Sequence, residues 1–106
     1  IWKGLVGSEM CIRDRMSEVK SILGNKETYL SYDIDFIDPA FAPGTGTPEV
    51  GGPNSFQALD VIRKLSGINL IGADLVEISP PFDQSGGTAF LGSSILFEIL
   101  CILASK

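Results

Sequence analysis

The stretch YLSYDIDFIDP, residues 29–39, is the part of this sequence that decides the fold. Its apolar, β-prone beginning predicts a strand over residues 28–34, and Pro39 cannot continue that strand. Asp33 and Asp35 stand two residues apart where the strand ends. Because alternate strand residues project to the same face, we expect the two carboxylates to lie side by side. Such carboxylates repel each other unless a cation lies between them, and their hard oxygen atoms suit Mg²⁺, Mn²⁺ or Ca²⁺.

The elements around this stretch are predicted to alternate between helices and strands. Residues 17–23 are predicted to form the last turns of a helix that ends at the Gly24-Asn25 pair, and a long loop rich in proline and glycine covers residues 35–53. The elements after the loop are, in order, a helix capped by Asn54 or Ser55 and ended by Gly67, a strand over 70–78 buried on both faces, a loop over 79–87 and an apolar helix over 88–104. This order predicts an α/β fold with a parallel sheet, whose ligand sites collect where strands end. Glu77 lies at such an end, as do the two aspartates.

Residues 1–15 differ from the rest of the chain. The run GSEMCIRDR, residues 7–15, shows neither helical nor strand periodicity. It resembles translated sequencing adaptor at the end of a fragmentary gene. We therefore interpret residues 1–15 as a non-native or disordered segment and place the evolved domain at residues 16–106.

Composition narrows the classes of function. The 106 residues allow one small domain, and the net charge of −5 argues against a nucleic-acid partner. Histidine is absent, so this chain alone cannot build a Ser-His-Asp triad, a Cys–His pair or a histidine-ligated zinc site. Cys11 and Cys101 have no disulfide or metal spacing, and we expect Cys101 to be buried, which fits a reducing cytoplasm. The apolar run 94–104 is too short to span a bilayer, so no membrane partner is expected.

Three simple interpretations of this region can be compared. An EF-hand beginning at Asp33 would need glycine at position six and glutamate at position twelve, where Asp38 and Gly44 stand. A haloacid-dehalogenase-like phosphotransferase expects threonine or valine at the position of Ile37, and it stays open as an alternative. A phosphate loop is suggested by PGTGTP, residues 43–48, but the lysine of such loops is missing.

A longer comparison explains more of the chain. The run SYDIDFIDPAFAPGTGTPEVGG, residues 31–52, resembles the signature of the ureohydrolase family, which comprises arginases, agmatinases and their relatives. The run DLVEISPPFD, residues 74–83, is similar to the next block of that family. Glu49 and the PPFD run are more similar to agmatinases than to arginases. The resemblance covers residues 17–106 and implies a three-layer, arginase-like α/β domain of which only the C-terminal part is present.

The resemblance also implies roles for four residues. Asp33 and Asp35 match ligands of a binuclear manganese centre, Glu77 matches the carboxylate that accepts hydrogen bonds from the substrate guanidinium, and Thr47 matches a threonine close to the same site. Two cations would lower the pKa of a bridging water, and the resulting hydroxide would attack the guanidinium carbon so that urea and an amine leave. No catalytic residue beyond that metal-bound hydroxide is implied.

The function implied is that of a fragment of a manganese-dependent ureohydrolase. The expected activity is that of an agmatinase, which cleaves agmatine to putrescine and urea. Alternative activities are those of a guanidinobutyrase, another guanidino-acid hydrolase or an arginase. The alternative from a different class is a non-catalytic metal-binding or interaction module. The remaining ligands of the family come from Gly-Gly-Asp-His and Asp-Ala-His-x-Asp segments that this chain lacks, so we expect it to be inactive alone. The complete enzyme is expected to be a cytoplasmic homo-oligomer.

Overall fold

The computed structural model describes the backbone of residues 9–105 and the side chains of residues 15–105. The helices and strands are, in chain order, α1 (Glu9–Leu23), β1 (Thr28–Asp33), α2 (Ser55–Arg63), β2 (Leu70–Val76) and α3 (Gly87–Ala104), with short 3₁₀ turns at Ile34–Phe36 and Pro80–Phe82. Within the described residues β1 and β2 pair in parallel, with Tyr32 opposite Leu75 and Asp33 opposite Val76. The predicted α/β order and parallel sheet are therefore confirmed.

α1 corrects part of the interpretation of the N-terminal segment. The helix begins at Glu9, so the part of that interpretation that expects disorder is wrong from residue 9 onward. Residues 1–8 lie outside the described residues. Met16 is buried in the core. The helix ends as predicted at Gly24, whose φ is +53° and whose N–H donates to the Lys20 carbonyl at 3.0 Å. The division of the chain at residue 16 stays a prediction.

One face of the sheet is covered by α2 and α3. The Tyr32 hydroxyl reaches across from β1 and donates to the Ala58 carbonyl of α2 at 2.9 Å. On α3 a glycine allows close packing, because a Cβ on Gly92 would lie 2.5 Å from Ile78 Cδ1. Asn54 caps α2 as predicted, and its side chain and that of Gln57 form a reciprocal capping box. These contacts fix the carboxyl ends of β1 and β2 relative to the helices.

The other surfaces of the sheet and of α3 are more exposed than the sequence predicted. β2 was expected to be buried on both faces, but the Ile71 residue is 55% exposed. Cys101 was expected to be buried and is exposed. On α3, Phe90 and Phe97 are 77% and 64% exposed. Both burial predictions are therefore wrong.

α3 also corrects the length argument about membranes. That argument used only the run 94–104, whereas the helix has 18 residues and a mean hydropathy of 1.9, which is enough to cross a bilayer by length and composition. One third of this span is buried, and a core helix passes the same test. Since α3 packs on α2 and β2, we interpret it as a core helix. The expectation of no membrane partner stays a prediction.

Candidate metal and substrate site

The two aspartates lie at the end of β1, but they do not lie on the same regular strand. The strand ends at Asp33, and Asp35 lies in the 3₁₀ turn Ile34–Phe36. Asp33 caps this turn, because its Oδ1 accepts a hydrogen bond from the Asp35 N–H at 3.0 Å. Such a side-chain acceptor competes with continued strand pairing. The predicted strand to residue 34 is therefore one residue too long, and strand alternation is not what brings the carboxylates together.

The charges at this edge of the sheet nevertheless converge. The pKa of Asp33 is raised, and the largest cause is desolvation, although the residue is still exposed. The hydrogen bond from the Asp35 backbone N–H acts in the opposite direction and lowers this pKa. A hydrogen bond with the Asp35 side chain and the negative charges of Asp35 and Glu77 raise the pKa of Asp33 further. The predicted ligand pair and the predicted substrate-binding glutamate are thus close enough to repel one another. A cation between these groups would relieve that repulsion.

Thr47 lies beside Asp33 and Asp35, the two predicted ligands. Its hydroxyl donates to Asp35 Oδ2 at 2.7 Å. The long loop after β1 therefore returns to the end of the strand, and Thr47 fixes the orientation of the Asp35 carboxylate. The structure brings together Asp33, Asp35, Thr47 and Glu77, the four residues selected from the sequence.

Glu77 has an unusual backbone conformation. It directly follows β2 and has a φ of +72°, and it is the non-glycine residue with a positive φ among the described residues. A side chain makes this left-handed conformation costly, and such residues persist where their surroundings hold them. The following residues provide support: Ile78 forms an isolated antiparallel bridge with Thr45, and the Ser79 N–H donates to the Gly44 carbonyl at 2.7 Å. No local pattern in the sequence indicates this contact between the two loops.

Two further aspartates have structural roles. The Asp74 carboxylate accepts hydrogen bonds from the Tyr29 hydroxyl at 2.8 Å and from the Ser31 hydroxyl at 2.7 Å. The Asp38 carboxylate accepts from the Ala40 N–H at 2.9 Å and from the Gly51 N–H at 3.1 Å. Asp74 joins β2 to β1, and Asp38 folds the long loop back on itself. Their oxygen atoms are used within the protein rather than directed to the site.

The donor atoms present fit one side of a cation site. Carboxylate oxygens from Asp33 and Asp35 are ligands that Mn²⁺ accepts, and their mutual repulsion favours a cation. Among the described residues there is no group of three or more histidine, cysteine, aspartate or glutamate side chains able to hold a metal. That Asp33 and Asp35 are metal ligands stays a prediction, and the described residues offer no third ligand beside them.

Comparison with known proteins places this chain in a family. The sequence model of the arginase family matches residues 7–102. Guanidinopropionase of Pseudomonas aeruginosa is 51% identical over 98 residues, which are 92% of this chain and 31% of that protein. Guanidinobutyrase of the same organism is 56% identical over 88 residues, which are 83% of this chain and 28% of that protein. The chain thus spans about three tenths of the length of these relatives.

The fold gives the same result. The crystal structure of a hypothetical agmatinase from Burkholderia thailandensis superposes with a TM-score of 0.81 at 49% identity, covering 86% of this chain and 29% of that one. The predicted arginase-like architecture, present in part, is therefore confirmed. Since the family model matches nearly the whole sequence, the chain belongs to the arginase family.

Proposed function

We propose that this chain is part of a manganese-dependent hydrolase that cleaves a linear guanidino compound to urea and an amine. The observation that carries the proposal is the position of three carboxylates at the carboxyl ends of paired parallel strands: Asp33 ends β1 opposite Val76, Asp35 lies in the turn that follows, and Glu77 comes directly after Val76. Ligand sites of parallel α/β sheets lie at this end. A cluster of negative charge there suits both hard cations and a cationic substrate.

Each residue has a distinct part in this mechanism. Asp33 and Asp35 would hold the manganese, and Thr47 keeps the Asp35 carboxylate in place through its 2.7 Å hydrogen bond. The chemistry that bound manganese would supply is the acidification of water, which makes a nucleophile available near neutral pH. Glu77 would accept N–H hydrogen bonds from the planar guanidinium and orient its carbon toward the metals. These charge-assisted contacts also offset the negative charge of the cluster.

Agmatine is the substrate we propose first, with guanidino acids as the second candidate. The sequence features that favour agmatine are Glu49 and the PPFD run, residues 80–83. The second candidate is favoured by the names of two relatives at 51% and 56% identity, guanidinopropionase and guanidinobutyrase. The substrates share the guanidinium group, so Glu77 would serve either class, and the tail of the substrate distinguishes them. Hydrolysis of agmatine would yield putrescine. We propose that the complete enzyme is a cytoplasmic homo-oligomer.

A chimeric enzyme can test this proposal. Residues 17–104 would replace the matching segment of the Pseudomonas guanidinobutyrase, which is 56% identical over 88 residues. We expect the purified chimera to bind manganese and to release urea from guanidinobutyrate, with loss of activity after chelation. The ratio of kcat/KM for agmatine to that for guanidinobutyrate, compared with the unmodified host, reports whether this chain contributes to recognition of the substrate tail. A folded chimera that binds manganese and releases no urea from either substrate would contradict the proposed function.

Replacing Glu77 by glutamine in the chimera should raise KM and lower kcat while both metals stay bound. The reason is the loss of one charge-assisted contact, which costs roughly 1.5–3 kcal/mol, or about 10- to 150-fold in kcat/KM. Steady-state kinetics and elemental analysis on the same sample are the measurements. Glu27→Gln is the matched control, because Glu27 is exposed beside the opposite end of β1. A Glu77→Gln enzyme that loses manganese would show that Glu77 is a ligand instead.

A further inference from the structure

Gly44 joins the two loops of the candidate site to the beginning of α3. Its N–H donates to the Thr88 hydroxyl at 2.8 Å, and its carbonyl accepts from the Ser79 N–H at 2.7 Å. Thr88 is fully buried. The loop after β1, the turn after β2 and the first turn of α3 are therefore linked through one glycine and one threonine.

The backbone at Thr88 is itself held by Asp83. The Asp83 carboxylate accepts hydrogen bonds from the backbone N–H groups of Thr88 and Ala89, both at 3.0 Å. These bonds, and a further one from the Thr88 side chain, lower the pKa of Asp83. Thr88 is therefore held by Asp83 through its backbone N–H, while its hydroxyl accepts the hydrogen bond from the Gly44 N–H.

The approach of these segments leaves no space for a side chain at residue 44. A Cβ on Gly44 would lie 2.6 Å from the Cβ of Asp83 and 2.9 Å from the Cβ of Thr88. One residue further along, Thr45 forms the antiparallel bridge with Ile78. The close contact thus continues toward Thr47 on one loop and Glu77 on the other.

We propose that Thr88 is a positioning residue, whose hydroxyl acts through Gly44 to hold the loop that carries Thr47 against the turn that carries Glu77. This inference rests on the proposed function, since it concerns how the two substrate-side residues are fixed. It follows from the backbone of Glu77: a glutamate with a φ of +72° keeps that conformation only while its surroundings hold it. If the loops separate, Glu77 can relax to an ordinary conformation and its carboxylate leaves the position that faces the guanidinium.

The test uses the chimera described above with three variants. Thr88→Val keeps the shape of the buried side chain and removes the hydroxyl, and Thr88→Ser keeps the hydroxyl. Ser93→Ala is the matched control, because the Ser93 hydroxyl lies on the same helix and bonds only within it, to the Ala89 carbonyl at 3.1 Å. The measurements are kcat and KM, and amide hydrogen exchange of peptides that contain residues 43–47 and 77–79.

The expected result for Thr88→Val is a rise in KM of about tenfold or more, with at least tenfold faster exchange in both loop peptides. Thr88→Ser should stay within about threefold of the parent, and Ser93→Ala should not differ from it. Equal loss in the serine and valine variants, or faster exchange confined to α3, would overturn the inference. The exchange measurement applies even if the parent chimera releases no urea, so failure of the proposed function is distinguishable from failure of this inference.

A second variant covers the case in which Thr88→Val does not fold. Asp83→Asn preserves shape but replaces one acceptor oxygen with an amide that donates, which weakens the support of Thr88. We expect a smaller change in the same direction, namely a rise in KM and faster exchange of residues 43–47. Unchanged exchange and unchanged KM in a folded Asp83→Asn enzyme would also overturn the inference.

Discussion

Replacing Asp33 or Asp35 by asparagine in the chimeric enzyme should remove one manganese ion and lower kcat/KM by at least roughly 100-fold. Loss of an outer partner of a metal ligand typically costs 10- to 100-fold, and loss of a direct ligand should cost no less. A neutral amide lacks the charge that holds a hard cation. Elemental analysis and steady-state kinetics on each variant are the measurements.

The structure makes these substitutions specific for charge. In the unmodified chain the Asp35 N–H donates to Asp33 Oδ1 at 3.0 Å. The amide oxygen of the Asp33→Asn variant can accept the same hydrogen bond, so the 3₁₀ turn should persist. In Asp35→Asn the amide oxygen could still accept from the Thr47 hydroxyl. The control is Asp74→Asn, the same chemical change on the neighbouring strand, where the carboxylate bonds Tyr29 and Ser31. Full metal content and full activity in both site variants would remove these aspartates from the metal site.

Local signals in the sequence were sufficient to predict the order of the helices and strands. Apolar runs bounded by proline, glycine and capping residues depend on neighbours in the chain, which is why β1, the Asn54 cap and the end of α1 at Gly24 were predictable. The short-range effects of single side chains could not be predicted in this way. The carboxylate of Asp33 turns the chain at Ile34, and no periodicity predicts that its hydrogen bond replaces strand pairing.

Contacts between distant residues were also outside the reach of the sequence argument. Gly44 and Thr88 are 44 residues apart, and their hydrogen bond depends on how two loops and a helix meet. The left-handed conformation of Glu77 has no periodic signal in the sequence either. The prediction that Ile71 and Cys101 are buried was wrong for a related reason. Both residues are apolar or weakly polar, but their exposure depends on which elements cover them.

The 106-residue chain alone, supplied with manganese, should release no urea from agmatine or from guanidino acids. The metal ligands proposed in this chain are two aspartates, and the described residues contain no group of three metal-binding side chains. The whole sequence has no histidine to complete a ligand set. Bound manganese would supply the acidified water that the proposed reaction needs, and two aspartates without further ligands would not hold it firmly enough.

Packing leads to the same expectation. The sheet of the described residues has two strands, and such a sheet is marginal in water without more strands or full cover. Large apolar side chains on α3, among them Phe90, Phe97 and Leu100, are 60–77% exposed. Exposed patches of this kind favour association and loosen the positions of the site residues. The measurement is urea release by the isolated chain with manganese, with the heat-inactivated chain as the blank and the chimera as the positive control. Turnover above the blank would show that the chain holds a complete site, and the partial ligand set argued from Asp33 and Asp35 would then be wrong.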